Sequence, residues 1–136
     1  MTRKLGLIAM AILFTATAAL HAQAVRGAAG WVLLGARTVT DRQDHDTIVV
    51  TAARGTFKAI RIEVSGHAVD FHRVVVHFAS GDDQRLELRN TIPAGGQSRN
   101  IDIDGKERVI RSIDFWYDAK TIGRGGKAIV RVRGQH

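Results

Sequence analysis

Arg-Val-Ile-Arg-Ser-Ile-Asp-Phe-Trp-Tyr-Asp, residues 108–118, is the stretch whose reading decides the fold. It is dense in β-branched and aromatic side chains. Over its second half Ile113, Phe115 and Tyr117 share one parity, while Ser112, Asp114 and Trp116 share the other. A strand sends alternate side chains to opposite faces, so this segment is expected to lay an apolar row on a core. The other segments read as strands assembled around it.

Before it, Trp31 to Val39 reads as a first strand, with Gly35 marking a bulge or a close backbone approach. Asp41 to Asp46 is a polar loop, Thr47 to Thr51 a short apolar strand, and Ala53 to Thr56 its turn. From Phe57 to Val64, Ile60, Ile62 and Val64 alternate with Arg61 and Glu63. Ser65-Gly66-His67 then reads as a hairpin turn into Ala68–Phe78. Within that strand the phase slips: Val69 and Phe71 have one parity and Val74, Val76 and Phe78 the other, which predicts a β-bulge near His72 or Arg73. Ser80 to Asp83 is a second hairpin turn, leading into Gln84–Arg89 with Leu86 and Leu88 inward.

Asn90 to Arg99 is irregular and holds Pro93, the only proline. Asn100–Ile103 is a short strand, with Asp104-Gly105 a hairpin-type turn into the 108–118 stretch. After a loop over Ala119–Gly126, Lys127 to Arg133 is a last strand with Ala128, Val130 and Val132 inward. About eight short strands with turn chemistry between them, and no helical stripe, predict an all-β fold. Unequal connections and bulky inward residues favour an antiparallel β-sandwich over a small barrel.

The first two dozen residues read as a targeting segment. Arg3 and Lys4 precede an uncharged apolar run from Leu5 to Leu20, and Ala22-Gln23-Ala24 has the small-x-small pattern of a cleavage site. The run is shorter than the roughly 20 residues that span a bilayer. Residues 1–24 are therefore expected to be a Sec-type signal peptide and 25–136 a single domain, periplasmic or secreted. No second long apolar stretch follows, so no transmembrane span is expected in the mature chain. There is no cysteine, which rules out disulfides and thiolate zinc sites and leaves stability to packing and the strand ladder. The net charge of +7 falls to about +5 without Arg3 and Lys4. Such a basic exported surface first of all serves solubility, and it also suits an anionic envelope component, either a glycan or a lipid head group.

Three constellations carry candidate chemistry. Asp41, Asp44 and Asp46, with His45 among them, offer oxygen ligands to Ca2+, although the Gly and distal Glu of an EF-hand are missing and turn-forming side-chain bonds explain the same residues. His67, His72 and His77 suit zinc only if the strand brings them together, and His72 and His77 are odd-spaced. Arg99, Arg108 and Arg111, grouped around one hairpin with Asp102, can grip a carboxylate or phosphate bidentately, or can form cross-strand ion pairs. Lys127, Arg131 and Arg133 extend that basic face, in a C-terminal stretch that has no acid after Ala119.

Gly123 to Lys127 lacks the first Gly and the following Ser/Thr of a phosphate loop. Trp31, Trp116 and Tyr117 are too few for a stacking platform, so nucleic acid is not the expected partner. No nucleophile elbow, His-Glu-x-x-His or dinucleotide fingerprint occurs, and an enzyme is not indicated. The leading expectation is a non-enzymatic binding or structural module of the envelope using its basic face, with a glycan, a lipid head group or another envelope protein as partner. The alternatives are a metal- or small-ligand-binding accessory domain using the Asp41–Asp46 loop, and a hydrolase with no site visible in sequence.

Leu33-Leu-Gly-Ala36, Ile60-Arg-Ile62, Val74–Phe78, Ile92-Pro93 with Gly95-Gly96, Asn100-Ile-Asp-Ile103 and Ile113-Asp-Phe115 together resemble DUF2541, a family of small exported bacterial proteins of unknown function. The resemblance spans nearly all of the mature chain. It implies export and an all-β fold and brings no catalytic residues. Cysteines associated with a member of the family are absent here, so no disulfide carries over.

Overall fold

The computed structural model describes residues 30–136, and the proposed signal peptide lies outside them. Ten strands run β1 (Trp31–Thr40), β2 (His45–Val49), β3 (Thr56–Phe57), β4 (Ala59–Ser65), β5 (Val69–Phe78), β6 (Asp83–Leu86), β7 (Thr91–Ile92), β8 (Ile101–Asp102), β9 (Arg108–Tyr117) and β10 (Lys127–Gln135). Two short 3-10 segments, Ala52–Arg54 and Ala119–Ile122, interrupt the strands.

The strands form two antiparallel sheets. One has the order β1-β10-β4-β8, the other β2-β9-β5-β6, with β3 appended to β9 and β7 to β5. The 108–118 stretch becomes β9, held between β2 and β5 at the centre of the larger sheet. Its Ile113, Phe115 and Tyr117 are buried, as the alternation requires. They meet Phe71, Val74, Val76 and Phe78 of β5 and the inward rows of β4 and β10 in one continuous core.

Two irregularities fall where the sequence placed them. The β5–β9 register slips between Phe71 and Arg73, so Val69 and Phe71 before the slip and Val74 and Val76 after it all reach the core. The β1–β10 register slips between Leu33 and Gly35. A Cβ on Gly35 would lie 2.5 Å from Ile48 Cγ2, so glycine here admits the facing sheet.

Two turns are not hairpins. Ser65-Gly66-His67 carries the chain from β4 in one sheet to β5 in the other, because β4 pairs with β10 and β8 while β5 pairs with β9. Gly66, at φ +90, makes this reversal against the Lys127 carbonyl, where a Cβ would lie 3.1 Å from the oxygen. Asp104-Gly105 likewise crosses from β8 to β9 between sheets. The turn at Ser80–Asp83 is a true hairpin, with His77 opposite Asp83.

Candidate anion-binding groove and the polar face beside it

The outer face of the larger sheet collects its chemistry by register. His45 pairs with Trp116, and Trp116 with Arg73. One row along, Thr47 pairs with Asp114, and Asp114 with Val75, which pairs with Arg85. Because of the β5 bulge, His72 and Arg73 both escape the core side by side; His72 is exposed and Arg73 half-buried.

Arg73 lies over the Trp116 ring, 3.8 Å from its centroid, and the His45 ring stacks on the same indole at 4.5 Å. Stacking occupies the guanidinium face and leaves its in-plane N–H fork for a ligand. Around this pair, Arg85, Arg89, His72, Asp44, Tyr117 and Asp118 line an open groove of about 640 Å³. Arg85 and Arg89 are exposed, and their side chains have no hydrogen-bond or ion-pair partner among the described residues. A larger depression of about 760 Å³ mixes Lys58 and Lys106 with Asp102 and Glu107 and so selects neither sign of charge.

Next to the groove, Asp114 and His77 form a closed network. Asp114 accepts from Thr47 and, at 3.2 Å, contacts His45; its other oxygen lies 2.6 Å from His77 Nε2. His77 Nδ1 lies 2.6 Å from Asp83. Burial pulls the His77 pKa down, but hydrogen bonds to Asp83 and Asp114 outweigh it and the net shift is upward. For Asp114 burial pushes upward, and the Thr47, His77 and His45 hydrogen bonds prevail to hold it low. With a carboxylate on each ring nitrogen, His77 has no free nitrogen to draw a proton from the neighbouring Ser112, so this network is not arranged as a nucleophile and base.

The residues singled out from sequence lie apart. Arg99 donates to the Glu87 carbonyl at 2.8 Å. Arg108 bonds Ser80 and Asp82 and covers the Phe78 ring. Arg111 is exposed on β9 of the same sheet. Arg131 and Arg133 stand on β10 in the other sheet, donating to Ser65 and to both oxygens of Glu63. Lys127 lines a shallow recess with Asp41, Arg42 and Gly125.

Asp41 accepts from the Gly125 N–H and Asp44 from the Ala119 N–H. Asp46 lies within β2 rather than in the loop and points inward, where it accepts from the Tyr117 hydroxyl and pairs with Arg37 at 3.4 Å. Burial, with the charges of Asp46 and Asp44, pushes the Tyr117 pKa up, so its hydroxyl stays a donor. His67 bonds the Ala68 carbonyl, and among the described residues it does not join His72 or His77 in a metal-ligand cluster. The cluster of Arg73, Arg85 and Arg89 was missed because it forms only through the β5–β6 pairing and the β5 bulge; the phase slip at His72 was its one legible trace.

Fold and face together define a cysteine-free β-sandwich with a basic groove at the bulged end of its larger sheet. The sequence matches the model of the Domain of unknown function (DUF2541) over residues 7–134, and the chain belongs to that family. No curated protein matched it. Among solved structures it is similar to one described as "Structural and functional characterization of Pseudomonas aeruginosa AlgX", at 14% identity and a TM-score of 0.49, covering 77% of this chain. The chain spans about a quarter (26%) of that structure's length. Among the described residues no helix is long and apolar enough to cross a membrane.

Proposed function

We propose that the protein is an exported, non-enzymatic binding module of the cell envelope that takes an oxyanion-bearing component, through carboxylate or phosphate groups, in the Arg73–Arg85–Arg89 groove. The observation that carries this is the pair of unpartnered guanidiniums, Arg85 and Arg89, opening onto the same groove as the Trp116-stacked Arg73. Guanidinium forks match carboxylate and phosphate geometry, and three spaced along one groove suit a ligand with repeated charges. The apolar leader with its small-x-small site supports export.

The test is retention on immobilised polygalacturonate, and on vesicles of phosphatidylglycerol, at low and at about 0.5 M salt, where screening shortens electrostatic reach to a few ångströms. Retention on either at low salt, weakened by salt and by the double substitution Arg85→Gln and Arg89→Gln, supports the reading; the arm that retains the protein names the source of the anion. Absence of retention on both at low salt, or retention indifferent to the substitutions, overturns it.

A further inference from the structure

Asp70, His72 and Asp118 each place one ligand atom within 4.8 Å of the other two. We propose that these three side chains hold a divalent first-row transition metal, with zinc the ion their donors fit. The bulged strand builds the trio. Val69 and Phe71 are buried, so Asp70 and His72, which alternate with them, face outward. Phe71 pairs with Tyr117, and the next residue, Asp118, donates its N–H to the Asp70 carbonyl at 2.9 Å. The ladder thus brings the two carboxylates and the imidazole together on one face. The Thr91 hydroxyl orients Asp70 from behind, donating to Oδ1 at 3.2 Å.

The donor set decides the class of ion. Calcium and magnesium take oxygen ligands, whereas one imidazole with two carboxylates suits zinc and its neighbours. Zinc with bonds of about 2.1 Å holds tetrahedral donors roughly 3.4 Å apart, so the trio needs to close by at most about 1.4 Å, within the reach of side-chain torsions. A bound cation also relieves the repulsion between two neighbouring carboxylates.

Three protein ligands leave a coordination position open. His72 and Asp118 also line the arginine groove, so that position faces the ligand's charged groups. A carboxylate or phosphate oxygen there would be gripped by metal and guanidinium together. This bridging role rests on the groove reading; metal binding does not.

The experiment is calorimetric titration of the untagged chain with ZnCl2, alongside His72→Ala, Asp118→Asn and, as a control histidine outside the trio, His67→Ala. His72 is exposed, so its loss is not expected to unfold the protein, and thermal melting checks this. The expected result is one zinc per chain, bound at least tenfold more weakly by His72→Ala and by Asp118→Asn and unchanged by His67→Ala, with CaCl2 giving no comparable binding. No binding by the wild type, or binding that survives both substitutions, overturns the site. Polygalacturonate retention in zinc and in EDTA reads the bridge separately: stronger retention in zinc supports it, and equal retention overturns it. Zinc bound as expected, with no retention on polygalacturonate or on phosphatidylglycerol vesicles in either condition, upholds the metal site and removes the groove.

Discussion

Replacing His77 with Gln is expected to cost stability in a pH-dependent way. The imidazole links β6 to β9 through two 2.6 Å contacts, to Asp83 and Asp114. The ring is 20% exposed and Asp114 19%, whereas Asp83 is 53% exposed and contributes little. The His77–Asp114 contact therefore falls between a surface ion pair, worth about 0–1 kcal/mol, and a hydrogen bond to a charged group, worth about 1.5–3 kcal/mol. A loss of about 1.5 kcal/mol is expected near pH 6, since Gln keeps a neutral hydrogen bond but no charge. Because the folded protein raises the His77 pKa, the stabilisation is complete below the ordinary value of 6.5 and is lost as pH rises through the folded value. The lowered Asp114 acts from the other side: its share is present above 3.8 and is lost as pH falls through its lower folded value. At about 4 °C per kcal/mol for a domain of this size, the variant is expected to melt about 6 °C below wild type at pH 6. The gap is expected to be smaller at pH 9, on the far side of the rise. Differential scanning calorimetry of both proteins at the two pH values reads it directly. A gap equal at both, or wider at pH 9, would refute the charged bridge.

Other substitutions probe the packing. Ser98 is buried and its hydroxyl accepts from the Ile62 N–H at 2.9 Å while donating to the Arg99 carbonyl, so Ser98→Ala orphans a buried donor and is expected to cost about 1–3 kcal/mol in urea unfolding. Gly35→Ala pushes a methyl group into Ile48 and is expected to cost about 1–3 kcal/mol, seen as a lower urea midpoint; an unchanged midpoint would mean that the two sheets are not in contact there.

The strands were legible because burial on one face writes a two-residue period into Ile60–Val64, Ile113–Tyr117 and Ala128–Val132 whatever their partners. Even the bulge at His72 could be read, since a phase slip with apolar residues on both sides has no other solution in a strand. Partner choice could not. Gly66 signals a reversal, and a reversal inside one sheet or between two sheets calls for the same turn residues. Hence the Ser65–His67 and Asp104–Gly105 turns looked like hairpins.

The groove was hidden for a related reason. Arg99, Arg108 and Arg111 are near in sequence, but Arg99 and Arg108 are tied to Glu87, Ser80 and Asp82. Arg73, Arg85 and Arg89 meet only through the β5–β6 pairing and the bulge. The Asp70–His72–Asp118 trio depends on the same register, with Asp118 brought beside Asp70 across the β5–β9 ladder.

Trp116 and Trp31 are the two indoles of the chain, and they report on different places: Trp116 lines the groove, while Trp31 is buried under Arg61 in the other sheet. Proton–nitrogen correlation spectra during titration with a short galacturonate oligomer and with inorganic phosphate therefore test the groove at its centre. Movement of the Trp116 indole signal with at least one of the two anions, while Trp31 stays still, is the predicted result. A Trp116 signal unmoved by both, at low salt and millimolar ligand, would contradict it.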